Sequence, residues 1–292
     1  MDTPREILRL RRGFLRHSPR ANAPSPFLSR EIGTRLLTRL AYVTLAPRRL
    51  LDLGAGGGWS GVALQHRFPD TALLEVDWVP ELLPVPVERA WWAKWRQPAA
   101  RFSLAASALQ LPLVRHSVDL VWAHLLLPWT PMDRLFAEVE RVLAPGGLFL
   151  FSTLGPDTLR ELRPALSELP EGTQRLGPFS DMHDLGDALV RARMADPVME
   201  REDLHIDYPD LNLLLQDLRA LGPAPAPRPA NPVGKQAWQR MTRAYEGQRS
   251  ATGFPTTLEV IYGQAWKPQP RTLPDGRAVI EVRPVPQAPI GL

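Results

Sequence analysis

The segment Arg49-Leu-Leu-Asp-Leu-Gly-Ala-Gly-Gly-Gly-Trp59 constrains the fold of this chain more than any other part of the sequence. Residues 50–53 form a short apolar run that is typical of a buried parallel strand. The glycines that follow allow a tight turn and a close approach of the backbone to a ligand, and residues 59–67 can then form a helix. A second strand, 71–76, ends at Asp77, at the spacing where an acid accepts hydrogen bonds from ribose hydroxyls. The segment predicts the first half of a nucleotide-binding βαβ unit.

The glycine spacing and a preceding acid indicate which nucleotide the loop binds. Dinucleotide-binding loops usually read Gly-x-Gly-x-x-Gly, whereas this loop reads Gly54-x-Gly56-Gly57-Gly58. Asp52 precedes Gly54 by two residues, which is unfavourable beside a pyrophosphate but suits a cationic or zwitterionic ligand. We therefore expect S-adenosylmethionine, which carries a sulfonium and an amino group. The alternative is a glycine loop with only a tight-turn role, and the flanking strands and the spaced Asp77 argue against it.

The composition excludes several classes of chemistry. The sequence of 292 residues has no cysteine, which excludes disulfides, thiolate nucleophiles and cysteine-ligated metals. Its six histidines include no close-spaced pair, so we expect no metal site. The net charge of +4 does not imply a nucleic-acid partner, and no apolar run approaches the roughly 18 residues of a membrane helix. Because the arginine-rich N-terminus also lacks an apolar signal segment, we expect a cytoplasmic protein with no membrane contact.

An amphipathic helix is predicted at the N-terminus, from about Pro4 to His17. Thr3-Pro-Arg-Glu6 has the form of a capping box with proline at the first helical position. Arginines occupy one face of this helix and apolar residues the opposite face. The arginines are Arg5, Arg9, Arg12 and Arg16, and the apolar residues are Ile7, Leu10 and Phe14. A solvated charged face is the simpler interpretation, and a docking surface for an acidic partner is the alternative.

Strands and helices alternate along the first half of the chain, as a parallel sheet requires. Further strands are predicted at 101–105, 118–123 and 148–153, and helices at 29–42 and from 130 to the stop at Pro145-Gly-Gly147. The last apolar residue assigned to that second helix is Leu143. The tryptophans Trp91, Trp92 and Trp95 are assigned to packing, because their spacing distributes them over adjacent helix faces.

The pattern changes beyond residue 155. Helices are predicted near 157–168, 181–194, 208–221 and 235–249, and extended segments at 196–208 and 256–266. The two extended segments can form an antiparallel pair that closes the sheet, and the helices between them a cap beside the cofactor pocket. The run 222–234 is rich in proline, which is typical of a stiff linker. We accordingly divide the chain into an N-terminal helical cap (1–45), a nucleotide-binding core (46–155), a C-terminal half that completes the sheet (156–268) and a tail (269–292).

Several segments together resemble one branch of the class I S-adenosylmethionine-dependent methyltransferases. These segments are Leu51-Asp-Leu-Gly-Ala-Gly, Val118-Asp-Leu-Val-Trp122, the run from Arg141 to Glu161 containing Phe-Ser-Thr-Leu-Gly-Pro-Asp-Thr-Leu, Asp181-Met-His-Asp-Leu-Gly-Asp187, Ala195-Asp-Pro-Val-Met199, Tyr245-Glu246 and Thr257 to Lys267. They are similar to the BioC-type malonyl-[acyl-carrier protein] O-methyltransferases of biotin synthesis. The resemblance extends from about residue 8 to 268. It implies a Rossmann-like α/β fold with a mostly parallel seven-stranded sheet, an antiparallel closing strand and a helical cap.

The resemblance also implies positions for S-adenosylmethionine. The glycine loop, Gly54, Gly56 and Gly58 with Asp52 before them, would contact its methionyl part. Asp77 would accept hydrogen bonds from its ribose, and Trp78 would pack on the face of its adenine. Ser107, Ala108 and Leu109 would contact the adenine edge, and Ala123 and His124 would lie at the sulfonium end. His124 is interpreted as a pocket-lining or structural residue rather than a base. The chain departs from the family pattern in two places. Ala105-Ala-Ser-Ala-Leu109 lacks the usual acid near 107, and no tyrosine precedes Tyr42.

The reaction implied is methyl transfer to the free carboxylate of a malonyl thioester on acyl carrier protein. That carboxylate is ionised at neutral pH, so no general base and no catalytic dyad are expected, and an arginine is a candidate to hold it. Because the carrier protein is acidic in this family's chemistry, the arginine face becomes a docking hypothesis. Two alternatives remain open: a protein-modifying enzyme such as an arginine hydroxylase-like assembly factor, and a degenerate S-adenosylmethionine-binding protein without activity.

Overall fold

A seven-stranded sheet forms the centre of the protein, with strand order β3-β2-β1-β4-β5-β7-β6. The structure is a computed structural model that describes residues 11–16, 26–84, 100–170, 179–222 and 233–269. The strands are β1 (Arg49–Leu53), β2 (Ala72–Asp77), β3 (Arg101–Ala105), β4 (Val118–His124), β5 (Leu143–Leu154), β6 (Ala195–Tyr208) and β7 (Phe254–Trp266). Neighbours from β3 to β5 pair in parallel, whereas β7 is antiparallel to both β5 and β6. The predicted α/β fold with an antiparallel closing strand is confirmed.

Helices cover both faces of this sheet. The helices are α1 (residues 11–16), α2 (Phe27–Arg39), α3 (Trp59–Arg67), α4 (Met132–Val142), α5 (Arg163–Leu166), α6 (Met182–Arg191), α7 (Leu211–Ala220) and α8 (Lys235–Glu246). On one face Leu28, Ile32 and Leu36 of α2 are buried in the same hydrophobic cluster as Trp122. On the other face Phe136 of α4 packs within an aromatic cluster on β5. Burial from both faces explains why β4 and β5 read as continuous apolar runs.

Ion pairs fasten α2 to the antiparallel edge of the sheet. Arg35 pairs with Glu202 on β6, and Arg39 contacts Glu200 through its Nε (2.9 Å) and Nη2 (2.6 Å) atoms. The Arg39 guanidinium also lies 3.6 Å from the ring centroid of Tyr262 on β7. A segment that precedes β1 is therefore held by strands from the far end of the described chain.

Two predicted helix boundaries are wrong for identifiable reasons. The helix predicted over 157–168 is helical only over 163–166, because Leu159 has a φ of 58° and donates its backbone N–H to Thr257 O at 2.7 Å. Leu143, assigned to a helix by its spacing, instead begins β5 and pairs with Val118. At Leu159 a backbone hydrogen bond to β7 replaces a helical one, whereas Leu143 N still donates to Val139 O and closes the last turn of α4 before the chain enters β5.

Several sequence-based assignments lie outside the described residues. These are Arg5, Arg9 and most of the N-terminal helix, the tryptophans at 91, 92 and 95, most of the proline-rich run and most of the tail. Within the described part of the chain, no helix is long and apolar enough to cross a membrane.

Gly263 provides a test of packing between the two antiparallel strands. A Cβ on Gly263 would lie 2.2 Å from Cζ of Phe151, which is fully buried, whereas a Cβ on Gly186 in α6 would meet only Met199 Cγ at 3.8 Å. We expect G263A to lower the free energy of unfolding by about 1–3 kcal/mol through overpacking. The control G186A should raise it by about 0.5–1 kcal/mol, because alanine favours a helix over glycine. Urea unfolding of both variants measures these changes, and a neutral G263A would contradict the close contact.

Candidate active site

A cavity of about 410 Å³ opens at the carboxyl ends of the parallel strands. Its described lining comes from the glycine loop after β1, the ends of β2, β3 and β4, the first turns of α2 and α3, Phe14 of α1 and the end of α7. Carboxyl ends of neighbouring parallel strands meet at one edge, which is where ligands bind in open α/β sheets. The site therefore lies where the βαβ segment predicted it.

The glycine loop keeps a left-handed backbone at three positions. Gly54, Gly56 and Gly58 have φ angles of 79°, 50° and 78°, which side-chain-bearing residues rarely adopt. A Cβ on Gly58 would lie 2.4 Å from Pro84 Cγ, whereas a Cβ on Gly56 would have no atom within 4 Å. Gly56 thus leaves open space that faces the cavity, and Gly58 is required by packing behind the loop.

Asp77 is fixed by two backbone donors. Its Oδ2 accepts from Gly56 N at 3.0 Å, and its Oδ1 accepts from Val79 N at 2.8 Å. Burial raises the pKa of Asp77, and the hydrogen bonds from Val79 and Gly56 act in the opposite direction. Each oxygen keeps a further lone pair, so the carboxylate can accept from a diol while it holds the loop. Asp77 and Trp78 both line the cavity.

Asp52 does not line the cavity, contrary to the sequence-based expectation. It pairs in register with Glu75 on β2, and both side chains are buried behind the glycine loop. Burial raises the pKa of Asp52 well above its usual range, with a further contribution from the nearby Glu75. Alternation along β1 points the Asp52 side chain to one face of the sheet rather than to the carboxyl edge.

Arg101 forms an ion pair with one member of this buried acidic pair, Glu75. Its Nε and Nη2 atoms each donate to a different carboxylate oxygen of Glu75 at 2.7 Å, and Nη2 also donates to Gly58 O at 3.3 Å. The ion pair and hydrogen bond connect β2, β3 and the glycine loop. Gly58 therefore contributes to the support of the loop and not to the cavity lining. The sequence feature that could have indicated this supporting ion pair is a second acid, Glu75, two residues before Asp77.

Ala123 and His124 have different environments, although both were expected at the sulfonium end. Ala123 is fully buried in the core that packs against α4 and does not line the cavity, because consecutive strand residues face opposite sides. His124 lines the cavity. Its Nδ1 lies 2.7 Å from Ser152 Oγ, and its Nε2 lies 2.8 Å from Ser29 O and 3.1 Å from Ser29 Oγ. Burial lowers the pKa of His124 to about 4, so the imidazole is neutral at pH 7.

The lining segment after β3 forms a tight turn. Ser107 Oγ accepts from Leu109 N at 3.2 Å, and Ser107 O accepts from Gln110 N at 3.2 Å. Ser107, Ala108 and Leu109 all line the cavity, as does Ala106, which the sequence analysis did not identify. The serine hydroxyl at the position of the usual acid therefore stabilises the turn.

Aromatic residues close the opposite wall. Phe14 lies with its ring centroid 5.3 Å from Trp129 and 6.1 Å from Trp78 in edge-on arrangements. Gly222 permits this contact, because a Cβ there would lie 2.8 Å from both Phe14 and Trp129. Arg11 pairs with Glu81 and so holds α1 beside the end of β2. The apolar face of the predicted N-terminal helix includes Phe14, which lines the cavity. The sequence did not identify Ser29, Trp129 or Leu221 as lining residues, because they belong to no local motif.

The predicted cap is only partly beside the cavity. Ala220 at the end of α7 and the following Leu221 line it, as expected for a cap. In contrast, Met241 and Tyr245 of α8 are buried in the core, and Tyr245 donates its hydroxyl to Pro255 O. No described residue of α8 lines the cavity.

The Gly-Pro-Asp-Thr-Leu run connects β5 to β7. Gly155 N donates to Glu259 O at 2.8 Å, Asp157 N to Glu259 Oε2 at 2.5 Å, and Thr158 Oγ1 to Glu259 O at 3.1 Å. A Cβ on Gly155 would lie 2.4 Å from the Glu259 carboxyl carbon, so glycine is required there. The run therefore fixes the chain that leaves β5 to Glu259 on β7.

Comparisons with known proteins agree on one family. A family described as "Methyltransferase domain" matches residues 51–151. The chain is 41% identical over 276 residues to a malonyl-[acyl-carrier protein] O-methyltransferase of Gallionella capsiferriformans, covering 93% of this chain and 94% of the relative. It is 42% identical over 270 residues to the protein of the same name from Laribacter hongkongensis, covering 88% and 89%. The chain belongs to this methyltransferase family.

Solved structures show the same fold. The YcgJ protein from Bacillus subtilis aligns with a TM-score of 0.54 and 18% identity, covering 82% of this chain and 99% of that one. A Haemonchus contortus phosphoethanolamine N-methyltransferase 2 in complex with S-adenosyl-L-methionine aligns with a TM-score of 0.52 and 17% identity, covering 91% and 58%. With the methyltransferase family established, the predicted cofactor, S-adenosylmethionine, is confirmed. The relatives support a methyltransferase and not the alternatives of a protein-modifying enzyme or an inactive binding protein.

The lowered pKa of His124 predicts a pH dependence of stability. As the pH falls from 6.5 towards 4, the unfolded state binds a proton that the native state does not, so the free energy of unfolding decreases. At pH 5 this loss is about 2 kcal/mol relative to pH 7.5. Urea unfolding at both pH values should show that the free energy of unfolding of H124Q falls by about 2 kcal/mol less than that of wild type. The control H66Q, which replaces an exposed histidine on α3, should behave as wild type. Equal losses in wild type and H124Q would contradict the buried neutral imidazole.

Proposed function

We propose that this protein transfers a methyl group from S-adenosylmethionine to the free carboxylate of a malonyl group carried as a thioester on acyl carrier protein, an early step of biotin synthesis. The observation that carries this proposal is the identity of 41% and 42% to relatives named malonyl-[acyl-carrier protein] O-methyltransferase, along about nine-tenths of the chain. A cytoplasmic location, expected from the sequence, belongs to the same proposal.

The donor half of the cavity suits the proposed cofactor. Asp77 has lone pairs left for the ribose hydroxyls, Gly56 leaves room for the methionyl part beside Gly54, and Trp78 offers an aromatic face. The turn at 107–109 would contact the adenine edge. When bound, S-adenosylmethionine supplies an electrophilic methyl group on a positively charged sulfur.

The acceptor half requires no proton transfer. A malonyl carboxylate is ionised at neutral pH, so the protein has to orient one oxygen towards the methyl carbon and exclude water. Phe14, Trp129 and Leu126 provide apolar surface for that exclusion. His124 is neutral and has hydrogen-bond partners on both ring nitrogens, which agrees with a role other than general base.

A methyl-transfer assay tests this function. Wild-type protein with labelled S-adenosylmethionine should methylate malonyl-acyl carrier protein, and should rescue a strain that requires biotin. D77N should raise the dissociation constant for S-adenosylmethionine about tenfold or more, because it removes a charged acceptor. Calorimetry on D77N and on the control D70N, in the exposed turn before β2, measures this. Absence of transfer by wild type contradicts the proposed reaction, and wild-type cofactor affinity in D77N contradicts the role of Asp77.

The N-terminal arginine face is proposed as the docking surface for acidic acyl carrier protein. Arg12 and Arg16 are exposed on the helix whose Phe14 lines the cavity, so their charges lie on the element that covers the site. The same face contains Arg5 and Arg9 in the sequence. Exposed opposite charges steer association, and salt screens them.

Charge reversal tests the docking surface. The variant with Arg5, Arg9, Arg12 and Arg16 replaced by glutamate should raise the Michaelis constant for malonyl-acyl carrier protein about tenfold at low salt, with unchanged affinity for S-adenosylmethionine. The control is R67E/R115E, because both arginines are exposed and precede parallel strands, at the opposite edge of the sheet. If the two variants have the same carrier kinetics, the arginine face is not the docking surface.

A further inference from the structure

The hydrogen bonds of His124 determine which ring nitrogen carries the proton. Ser29 O is a carbonyl oxygen and can only accept, so the Nε2 atom at 2.8 Å must donate to it. Because the imidazole is neutral, Nδ1 then has no hydrogen and accepts from Ser152 Oγ at 2.7 Å. Ser152 Oγ in turn accepts from Leu125 N at 3.3 Å. These contacts assign one tautomer to His124.

This tautomer fixes the role of the Ser29 hydroxyl. Ser29 Oγ lies 3.1 Å from Nε2, which already carries a hydrogen, so Oγ can only accept a share of that hydrogen bond. The hydroxyl hydrogen of Ser29 is then available for another acceptor. Ser29 and His124 both line the cavity, so that acceptor can be a ligand.

The charges around the cavity indicate which kind of ligand group could accept the hydrogen bond from Ser29. No arginine or lysine is among the described lining residues. The acidic lining residue Asp77 has backbone partners and would repel an anion. Ser29 lies in the first turn of the 13-residue helix α2, where the helix dipole additionally favours negative charge. A neutral hydroxyl donor at this position suits a carboxylate that approaches a cationic methyl donor.

We propose that Ser29 Oγ donates a hydrogen bond to the acceptor carboxylate and that His124 is the positioning residue that orients Ser29. This proposal rests on the proposed function and identifies the acceptor end of the same cavity. Gly33 contributes to the arrangement, because a Cβ there would lie 2.5 Å from Trp59 Cζ3 and 3.3 Å from His124 Nε2. The absence of a side chain at Gly33 allows α2 to bring Ser29 close to His124.

The proposed bond has a distinct kinetic signature. Methyl transfer forms the bond between the carboxylate oxygen and the methyl carbon, and the electron pair of the breaking bond between carbon and sulfur stays on sulfur. The negative charge on the carboxylate is neutralised in this step, so a hydrogen bond to it is stronger in the ground state than in the transition state. Removing that bond should weaken substrate binding without slowing the chemical step.

Variants of Ser29 test the assignment. S29A should raise the Michaelis constant for malonyl-acyl carrier protein about tenfold to a hundredfold, with kcat not reduced and with unchanged calorimetric affinity for S-adenosylmethionine. S29T keeps a hydroxyl and should stay within about threefold of wild type. The matched control is S167A, which removes an exposed hydroxyl that donates to Pro164 O outside the cavity. H124Q should raise the Michaelis constant in the same direction, and its kcat should remain independent of pH between 6 and 8.

The outcomes separate this assignment from the proposed function. If wild type methylates malonyl-acyl carrier protein and S29A retains the wild-type Michaelis constant, the Ser29 assignment is overturned and the function stands. Equal impairment of S29A and S29T indicates packing and overturns the hydrogen bond. A kcat in H124Q that falls by about a hundredfold or more overturns the positioning role, because it indicates a base. A wild type that binds the cofactor but transfers no methyl group overturns both proposals.

Discussion

The ion pair between Glu75 and Arg101 supports the geometry of the cavity. Two acids, Asp52 and Glu75, are buried behind the glycine loop, and burial of uncompensated charge is strongly destabilising. Arg101 binds both oxygens of Glu75 and also reaches Gly58 O, so the guanidinium compensates charge and fixes the loop at the same time. Gly58 and Gly61 cannot carry side chains, because a Cβ on either would contact this pair. The glycines of the loop therefore accommodate a buried ion pair as well as a ligand.

The sequence predicted the parts of the molecule that depend on local chemistry. The strand, glycine turn and helix at 49–67 form as predicted, because apolar runs and glycines determine backbone conformation over a few residues. The prediction that Asp52 contacts the ligand was wrong. Its position along β1 was known from the sequence, but the direction of its side chain depended on how β1 pairs with β2. The helix over 157–168 failed because Leu159 bonds to Thr257, about 100 residues away. Hydrogen bonds of that range leave no periodic pattern.

The two halves of the cavity also differ in how well the sequence could predict them. The donor half comes from residues 54–57, 76–78 and 106–109, which belong to consecutive βα units. The proposed acceptor half combines Phe14, Ser29, Trp129 and Leu221, which are far apart in the chain. A resemblance built on sequence motifs therefore locates the cofactor better than the acceptor. His124 connects the halves, because β4 supplies it and α2 supplies its Ser29 partner.

The ion pairs that fasten α2 to β6 also have a consequence for synthesis on the ribosome. Arg35 and Arg39 lie ahead of β1, but their partners Glu200, Glu202 and Tyr262 are translated more than 160 residues later. The helix that carries Ser29 therefore emerges early and completes its packing only after β6 and β7 have left the exit tunnel. Contacts of such sequence separation form slowly. Assembly of the proposed acceptor end of the cavity is thus a late event in biogenesis, after the glycine loop and its strands can already pair.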